Sequence, residues 1–163
     1  MIRPARSNDA PAIARLWDEL VRYHHNLDDA LPKAASDGQN RYASYVQRRL
    51  RDPDAQIYVA EGEDEQLIGY VLGMILDLVP ETFEPERGGF LADIYVMESY
   101  RHQGVGRALV QRLMNWFKRN GIQHVEWYVA AENQSGRRFW EAVGGREVMI
   151  RMRVDLNSED KND

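Results

Sequence analysis

Apolar side chains recur along this chain with two distinct periods. At Ile13, Leu16, Trp17, Leu20 and Val21 the spacing is helical, and Ser7-Asn8-Asp9 ahead of them supplies side chains that cap a helix start. Tyr42, Tyr45, Val46 and Leu50 repeat the pattern and predict a second helix ending before Pro53, with the stretch from Asn26 to Asn40 read as a loop. The longest amphipathic run, Gly104 to Arg119, places Val105, Leu109, Val110, Leu113, Trp116 and Phe117 on one face and closes at Asn120-Gly121. A shorter helix is predicted over Ser135 to Val143, stopped by Gly144-Gly145. Elsewhere the apolar and β-branched runs have strand length. They cover Met1 to Pro4, a hairpin of Gln56 to Glu61 and Leu67 to Leu76 around an acidic turn, Phe90 to Val96, His124 to Ala130, and a final Glu147 to Val154. Asp77 to Gly89 reads as an irregular link, so the predicted order is β-α-α-β-β-β-α-β-α-β.

Composition adds limits to that picture. The 163 residues show no break before the polar tail Asn157 to Asp163, which argues for one domain over residues 1–156. The 44% hydrophobic and 29% charged fractions are those of an ordinary globular protein, and the longest apolar run is far too short to cross a bilayer. Without cysteine there are no disulfides, thiolate nucleophiles or cysteine-ligated metals. Met1-Ile2-Arg3-Pro4 lacks the apolar core of a secretory signal, so a cytoplasmic protein away from membranes is the default. A net charge of -5 argues against nonspecific nucleic-acid binding and suits a cationic substrate. The adjacent His24 and His25 do not point to one place, and no metal is expected.

The candidate chemistry sits where the strand Phe90 to Val96 turns through Arg101-His102-Gln103-Gly104-Val105-Gly106-Arg107 into the long helix. A helix N-terminus exposes unpaired N–H groups and the positive end of the helix dipole, and so attracts phosphate. Gly104 and Gly106 let the backbone approach a diphosphate, and Arg101, His102 and Arg107 add donors; alternatively the glycines only ease the turn. The segment is neither a Walker loop nor a dinucleotide-binding fingerprint, since it lacks Gly-Lys-Ser/Thr and a third glycine.

These residues resemble the GCN5-related N-acetyltransferases, whose Gln/Arg-x-x-Gly-x-Gly/Ala signature stands here as Arg101-His102-Gln103-Gly104-Val105-Gly106. The resemblance extends to Ile2-Arg3-Pro4-Ala5, Asp93-Ile94-Tyr95-Val96, Tyr100, Asn133 and Phe139-Trp140-Glu141-Ala142-Val143-Gly144. Leu91 to Gly106 and Val129 to Asn133 look closest to the diamine (spermidine/spermine) acetyltransferases. The resemblance implies an α/β fold, a mixed and mostly antiparallel sheet flanked by helices, and acetyl transfer from acetyl-CoA to a primary amine by direct attack. It further implies that Ile94, Tyr95 and Val96 receive the pantetheine arm and that Arg101, His102, Gln103, Gly104, Val105, Gly106 and Arg107 wrap the diphosphate. Asn133, Gln134, Ser135 and Gly136 would touch the carrier from the next loop, and a homodimer is expected.

Two positions depart from the family pattern. Trp140 stands where many relatives carry a tyrosine acid, and Ala92 where the diamine acetyltransferases carry a glutamate beside Asp93. Candidate replacements are Asp93, as base or water-orienting group, and Tyr128 as acid, with Glu126 contacting a cationic acceptor from the same strand face. Each also has a purely structural reading: Asp93 as a turn cap or ion-pair partner, Tyr128 as a wall residue, Glu126 as a solvated charge. A noncatalytic acyl-CoA sensor or interaction domain is the alternative to an enzyme.

Overall fold

The computed structural model describes residues 1–156; the tail expected at Asn157 to Asp163 lies outside the described residues. The elements run β1 (Ile2–Pro4), α1 (Ala10–Leu27), α2 (Gly38–Arg49), β2 (Ala55–Glu61), β3 (Leu67–Asp77), β4 (Arg87–Val96), α3 (Val105–Arg119), β5 (Val125–Glu126) and α4 (Gln134–Ala142). The five strands form one sheet in the order β1-β2-β3-β4-β5, antiparallel except for the parallel β4–β5 pair.

The alternation of side chains along β2 and β3 divides the interior in two. Ile57, Val59, Tyr70 and Leu72 face α1 and α2, where they meet Ile13, Leu16, Leu20, Tyr42 and Val46. Tyr58, Val71 and Ile75 face α3 and α4, where they meet Leu109, Leu113, Phe117 and Trp140. With helices on both faces the central strand is buried or half-buried from Leu67 to Ile75, which is why β3 reads as a continuous apolar run.

Four boundaries differ from the sequence reading. The segment Ser7–Asp9 is a single 3-10 turn and provides no side-chain cap to α1, because the Asp9 carboxylate is bonded to Arg3 (2.7 and 3.0 Å) and to the Arg6 N–H. α2 starts at Gly38, inside the stretch read as loop. Trp17 stacks on Tyr42 at 4.6 Å, and the Arg41–Asp37 ion pair braces the polar first turn, so tertiary packing overrides weak helix formers. β4 begins at Arg87 rather than Phe90, since Arg87, Gly88 and Gly89 already pair with Asp77, Leu76 and Ile75. Finally, β5 holds two residues instead of seven, and the predicted strand Glu147 to Val154 is not formed: residues 145–155 carry no regular structure.

Arg3, between Asp9 and Glu61, ties β1 to β2 and to the start of α1, with all three side chains at least 85% removed from solvent. The Arg3 hydrogen bond holds the Asp9 carboxyl below its usual range. Replacing Arg3 by Met strands a buried carboxylate and is expected to cost about 3 kcal/mol in urea denaturation at neutral pH. Because the folded Asp9 pKa is depressed, the wild-type contribution is present above the unfolded value of about 3.9 and is lost as pH falls through the folded value. The gap between wild type and variant should therefore close in acid.

Candidate active site

The register of β4 against β3 slips at one place: Leu72 pairs with Asp93 and Gly73 with Leu91, which leaves Ala92 as the extra residue of a β-bulge. A bulge turns two successive side chains to the same face. Ala92 and Asp93 both point toward α1 and α2, while Leu91 and Ile94 point toward α3. The Asp93 carboxylate accepts a 2.7 Å hydrogen bond from the Tyr42 hydroxyl, which lies 3.4 Å from the Tyr70 hydroxyl. Burial pushes the Asp93 carboxyl up, and the Tyr42 bond partly opposes it. Both phenols are raised well above their ordinary value, foremost by burial, so they remain donors at neutral pH. Sequence reasoning placed Tyr42 only on an apolar helix stripe. The available signal was its polar tip, since a buried phenol needs an acceptor and Asp93 was the nearest unexplained charge.

Beyond the bulge the sheet opens. β4 and β5 pair only at Gly89 with Val125 and Phe90 with Glu126, and the ladder ends there. The Met97 N–H donates to the Ile68 carbonyl, so the antiparallel alternation directs the N–H and C=O groups of Ile94 and Val96 away from β3, into the gap. One of these is used, since the Val96 carbonyl accepts from Arg101 Nε at 3.0 Å. Tyr95 points elsewhere: its ring faces α1 and its hydroxyl donates to Glu19 at 3.1 Å.

The turn into α3 carries two left-handed residues, His102 (φ 62°) and Gly104 (φ 82°). Alternation of right- and left-handed backbone turns successive N–H groups to one side and makes an anion-binding concavity. Among the described residues no acceptor meets the N–H groups from His102 to Arg107. His102, Gln103, Gly104 and Arg107 are exposed, Val105 and Gly106 half-buried. Arg101 is turned inward, its guanidinium 4.9 Å from the Tyr23 ring and 5.4 Å from that of Tyr95, so it anchors the turn to the sheet and α1.

Across the gap, Asn133 caps α4: its side-chain oxygen accepts from the Gly136 N–H (2.9 Å) and from the Tyr23 hydroxyl (3.2 Å). A Cβ on Gly136 would stand 2.5 Å from the Asn133 side-chain amide, so a larger residue there would push the cap out of its present position. Gln134 and Ser135 are exposed in the first turn of α4. The Tyr128 ring lies edge-on to Phe90 at 5.7 Å and is 86% exposed, on the sheet face that also carries Asp93; Glu126, two residues before it, is exposed. Between α1 and α2 a cleft of about 410 Å³ is lined by Trp17, Lys33, Arg41, Tyr42, Tyr45 and Arg48, and its Tyr42 is the residue bonded to Asp93; a separate hollow of about 270 Å³ lies at the start of α3, lined by Ile2, Ile68, Gln103, Gly104 and Val105.

A left-handed turn with exposed N–H groups at the start of α3 lies beside the parted β4–β5 pair, and residues 14–144 match the acetyltransferase (GNAT) family. The chain belongs to that family. Transfer of an acetyl group from acetyl-CoA to an amine is the chemistry of GNAT enzymes, and this chain is an N-acetyltransferase.

Among curated GNAT relatives, the uncharacterized N-acetyltransferase YhfO of Bacillus subtilis is 26% identical over 90% of this chain and 89% of its own length. The L-ornithine N5-acetyltransferase NATA1 of Arabidopsis thaliana is 26% identical over 60% of this chain, and the L-2,4-diaminobutyric acid acetyltransferase of Halomonas elongata 28% identical over 63%. The chain spans less than half the length of these two, 42% and 47%. In fold, a mutant of protein BH1408 from Bacillus halodurans superposes with a TM-score of 0.85 at 20% identity, covering 96% of this chain and 99% of that one. An aminoglycoside N-acetyltransferase, AAC(6')-Iy in complex with CoA, gives 0.75 at 17% identity, covering 96% and 94%. Trp140, at the family's tyrosine position, is buried against Trp127 at 4.6 Å and Phe139 at 5.0 Å, which makes it a packing residue. Among the described residues no group of three potential ligands could hold a metal, and no helix is long and apolar enough to cross a membrane.

Proposed function

We propose that this GNAT enzyme acetylates a primary amine of a small molecule that also carries a carboxylate, and that it does so by direct attack of the amine. The observation that carries the reading is the β4–β5 gap, flanked on one side by the unpaired N–H groups that open α3 and on the other by a half-buried carboxylate, that of Asp93. When bound, acetyl-CoA supplies an acetyl group activated as a thioester. The N–H groups from Gln103 to Arg107 hold the diphosphate, and the outward backbone groups of Ile94 and Val96 pair with the arm as an added strand would. The Ile94 N–H donates to the carbonyl oxygen as it gains charge.

An alkylammonium has a pKa near 10.4 and must lose a proton before it attacks. Asp93, raised by burial, takes that proton directly or through a water. Glu126 lies on the same face, where it attracts the cation, and the exposed Tyr128 hydroxyl returns a proton to the leaving thiolate. Lys33, Arg41 and Arg48 around the larger cleft favour an acceptor with a carboxylate, in keeping with the diamino acids in the names of two relatives. That rim disfavours polyamines, as does Ala92 at the position of the diamine enzymes' glutamate.

The test is thiol release from acetyl-CoA with ornithine, 2,4-diaminobutyrate, spermidine, an aminoglycoside and N-terminal peptides. Turnover should be fastest with a diamino acid, and Tyr128→Phe should lower kcat on it. Preference for spermidine would refute the carboxylate reading, while tight CoA binding without turnover on any amine would point to a sensor.

A further inference from the structure

We propose that Tyr42 is a positioning residue of the acetyl transfer: its hydroxyl fixes the Asp93 carboxylate in one orientation beside the β4–β5 gap, and Tyr70 orients that hydroxyl from behind. The assignment rests on Asp93 as the proton acceptor, as proposed above. The Tyr42 hydroxyl donates to Asp93 Oδ2 at 2.7 Å, and among the described residues no second donor reaches this carboxylate. Its other oxygen is left to take a proton.

An ionised carboxylate only accepts, so the Tyr42 proton is committed to it. Tyr70, 3.4 Å away and 0% exposed, then satisfies its own hydroxyl by donating to the Tyr42 oxygen. Donors in series polarise one another, so Tyr70 makes Tyr42 the stronger donor. The Tyr42 ring is held in place. It stacks on Trp17 at 4.6 Å with 9° between the planes, meets Tyr45 at 5.6 Å and Tyr70 edge-on at 6.4 Å, and is 8% exposed.

Stability alone does not account for this trio. Phenylalanine at 42 and 70 with an aliphatic residue at 93 would fill the same space without placing two hydroxyls and a carboxylate among apolar side chains. Instead both polar tips converge on the one charge that the β4 bulge turns to this face. The other polar groups on this side of the sheet are engaged elsewhere or lie at the surface. On α2 the Tyr45 hydroxyl meets the Met74 sulfur at 3.6 Å and Arg49 pairs with Asp52, while on α1 Glu19 accepts from Tyr95. Lys33, Arg41 and Arg48 line the cleft, and Glu126 and Tyr128 are exposed. Tyr42 lines that cleft as well, so the group that orients the base is also a wall of the acceptor cleft.

The pH dependence of kcat in Asp93→Asn, Tyr42→Phe and Tyr70→Phe tests the assignment, since Phe keeps each ring. In Asp93→Asn the acid limb owed to this carboxylate should vanish. In Tyr42→Phe it should move up by about one pH unit or more, because the ionised form loses its donor, while the KM for acetyl-CoA is unchanged. Tyr70→Phe should move it in the same direction by less. A variant that is merely loosened loses rate alike at every pH and leaves the limb in place. In the Asp93→Asn background, Tyr42→Phe should cause no further loss of the residual rate. Titration of the Asp93 carboxyl by ¹³C NMR in the wild type and in Tyr70→Phe reads the same shift without turnover and without requiring Tyr42→Phe to fold. An acid limb lost in Asp93→Asn but unmoved in Tyr42→Phe, or a carboxyl titration unmoved in Tyr70→Phe, overturns the inference and leaves Asp93 as the base. An acid limb that survives Asp93→Asn overturns the base assignment itself, and the inference with it.

Discussion

Asp93→Asn is expected to lower the acetylation rate at neutral pH by about a hundredfold or more, while the variant melts at a higher temperature than the wild type. The rate loss follows from removal of the proton acceptor, for which general-base catalysis contributes typically 10²- to 10⁴-fold. The stability gain follows from the same burial that makes the carboxylate basic. Its folded pKa lies above the unfolded value of about 3.9, so folding takes up a proton between the two values. Wild-type stability therefore declines as pH rises across that window and stays at the lower level above it. Asn keeps an oxygen for the 2.7 Å bond from Tyr42 and carries no charge, so the variant should show no such decline. Denaturant titrations across the acid range, run beside rate–pH profiles, check both halves. An unchanged rate profile would remove Asp93 from the mechanism, and an unchanged stability profile would mean that the carboxylate is not desolvated.

Gly104→Val should weaken CoA binding at least about tenfold, or roughly 1.4 kcal/mol by calorimetry, and should cost about 1–2 kcal/mol of stability besides. Two causes act together, and a second variant separates them. At φ 82° the backbone is left-handed, which a β-branched residue tolerates poorly, yet an added Cβ would meet nothing within 4 Å. Packing therefore does not require the glycine. Gly104→Asn tolerates the left-handed conformation while still placing a side chain at the mouth of the turn. It is expected to fold like the wild type and to bind CoA weakly. Wild-type affinity in the Asn variant would mean that the N–H groups of this turn do not hold the diphosphate.

Much of this molecule was legible in the order of its residues. The helical stripes of α1 and α3, the β2–β3 hairpin and the strand-turn-helix from Phe90 to Arg119 are local patterns, and each was read with its ends displaced by a few residues. The glycine turn ahead of α3 was legible because a strand, a Gly-x-Gly turn and an amphipathic helix follow one another locally. Three features were not legible. The inward turn of Arg101 depends on Tyr23, an aromatic ring brought from distant α1 to join the nearby Tyr95, and α2 begins early because Trp17 stacks on Tyr42. The pairing of Asp93 with Tyr42 arises from a bulge that changes which face Ala92 and Asp93 occupy, and a one-residue slip of register leaves no mark in the periodicity of either strand. The strand predicted at Glu147 to Val154 is not formed, since a strand exists only with a partner and among the described residues none pairs with it there. Local sequence determined what each segment is disposed to become; which segments meet, and so where the charge is buried and where the sheet parts, was decided by contacts between residues far apart in the chain.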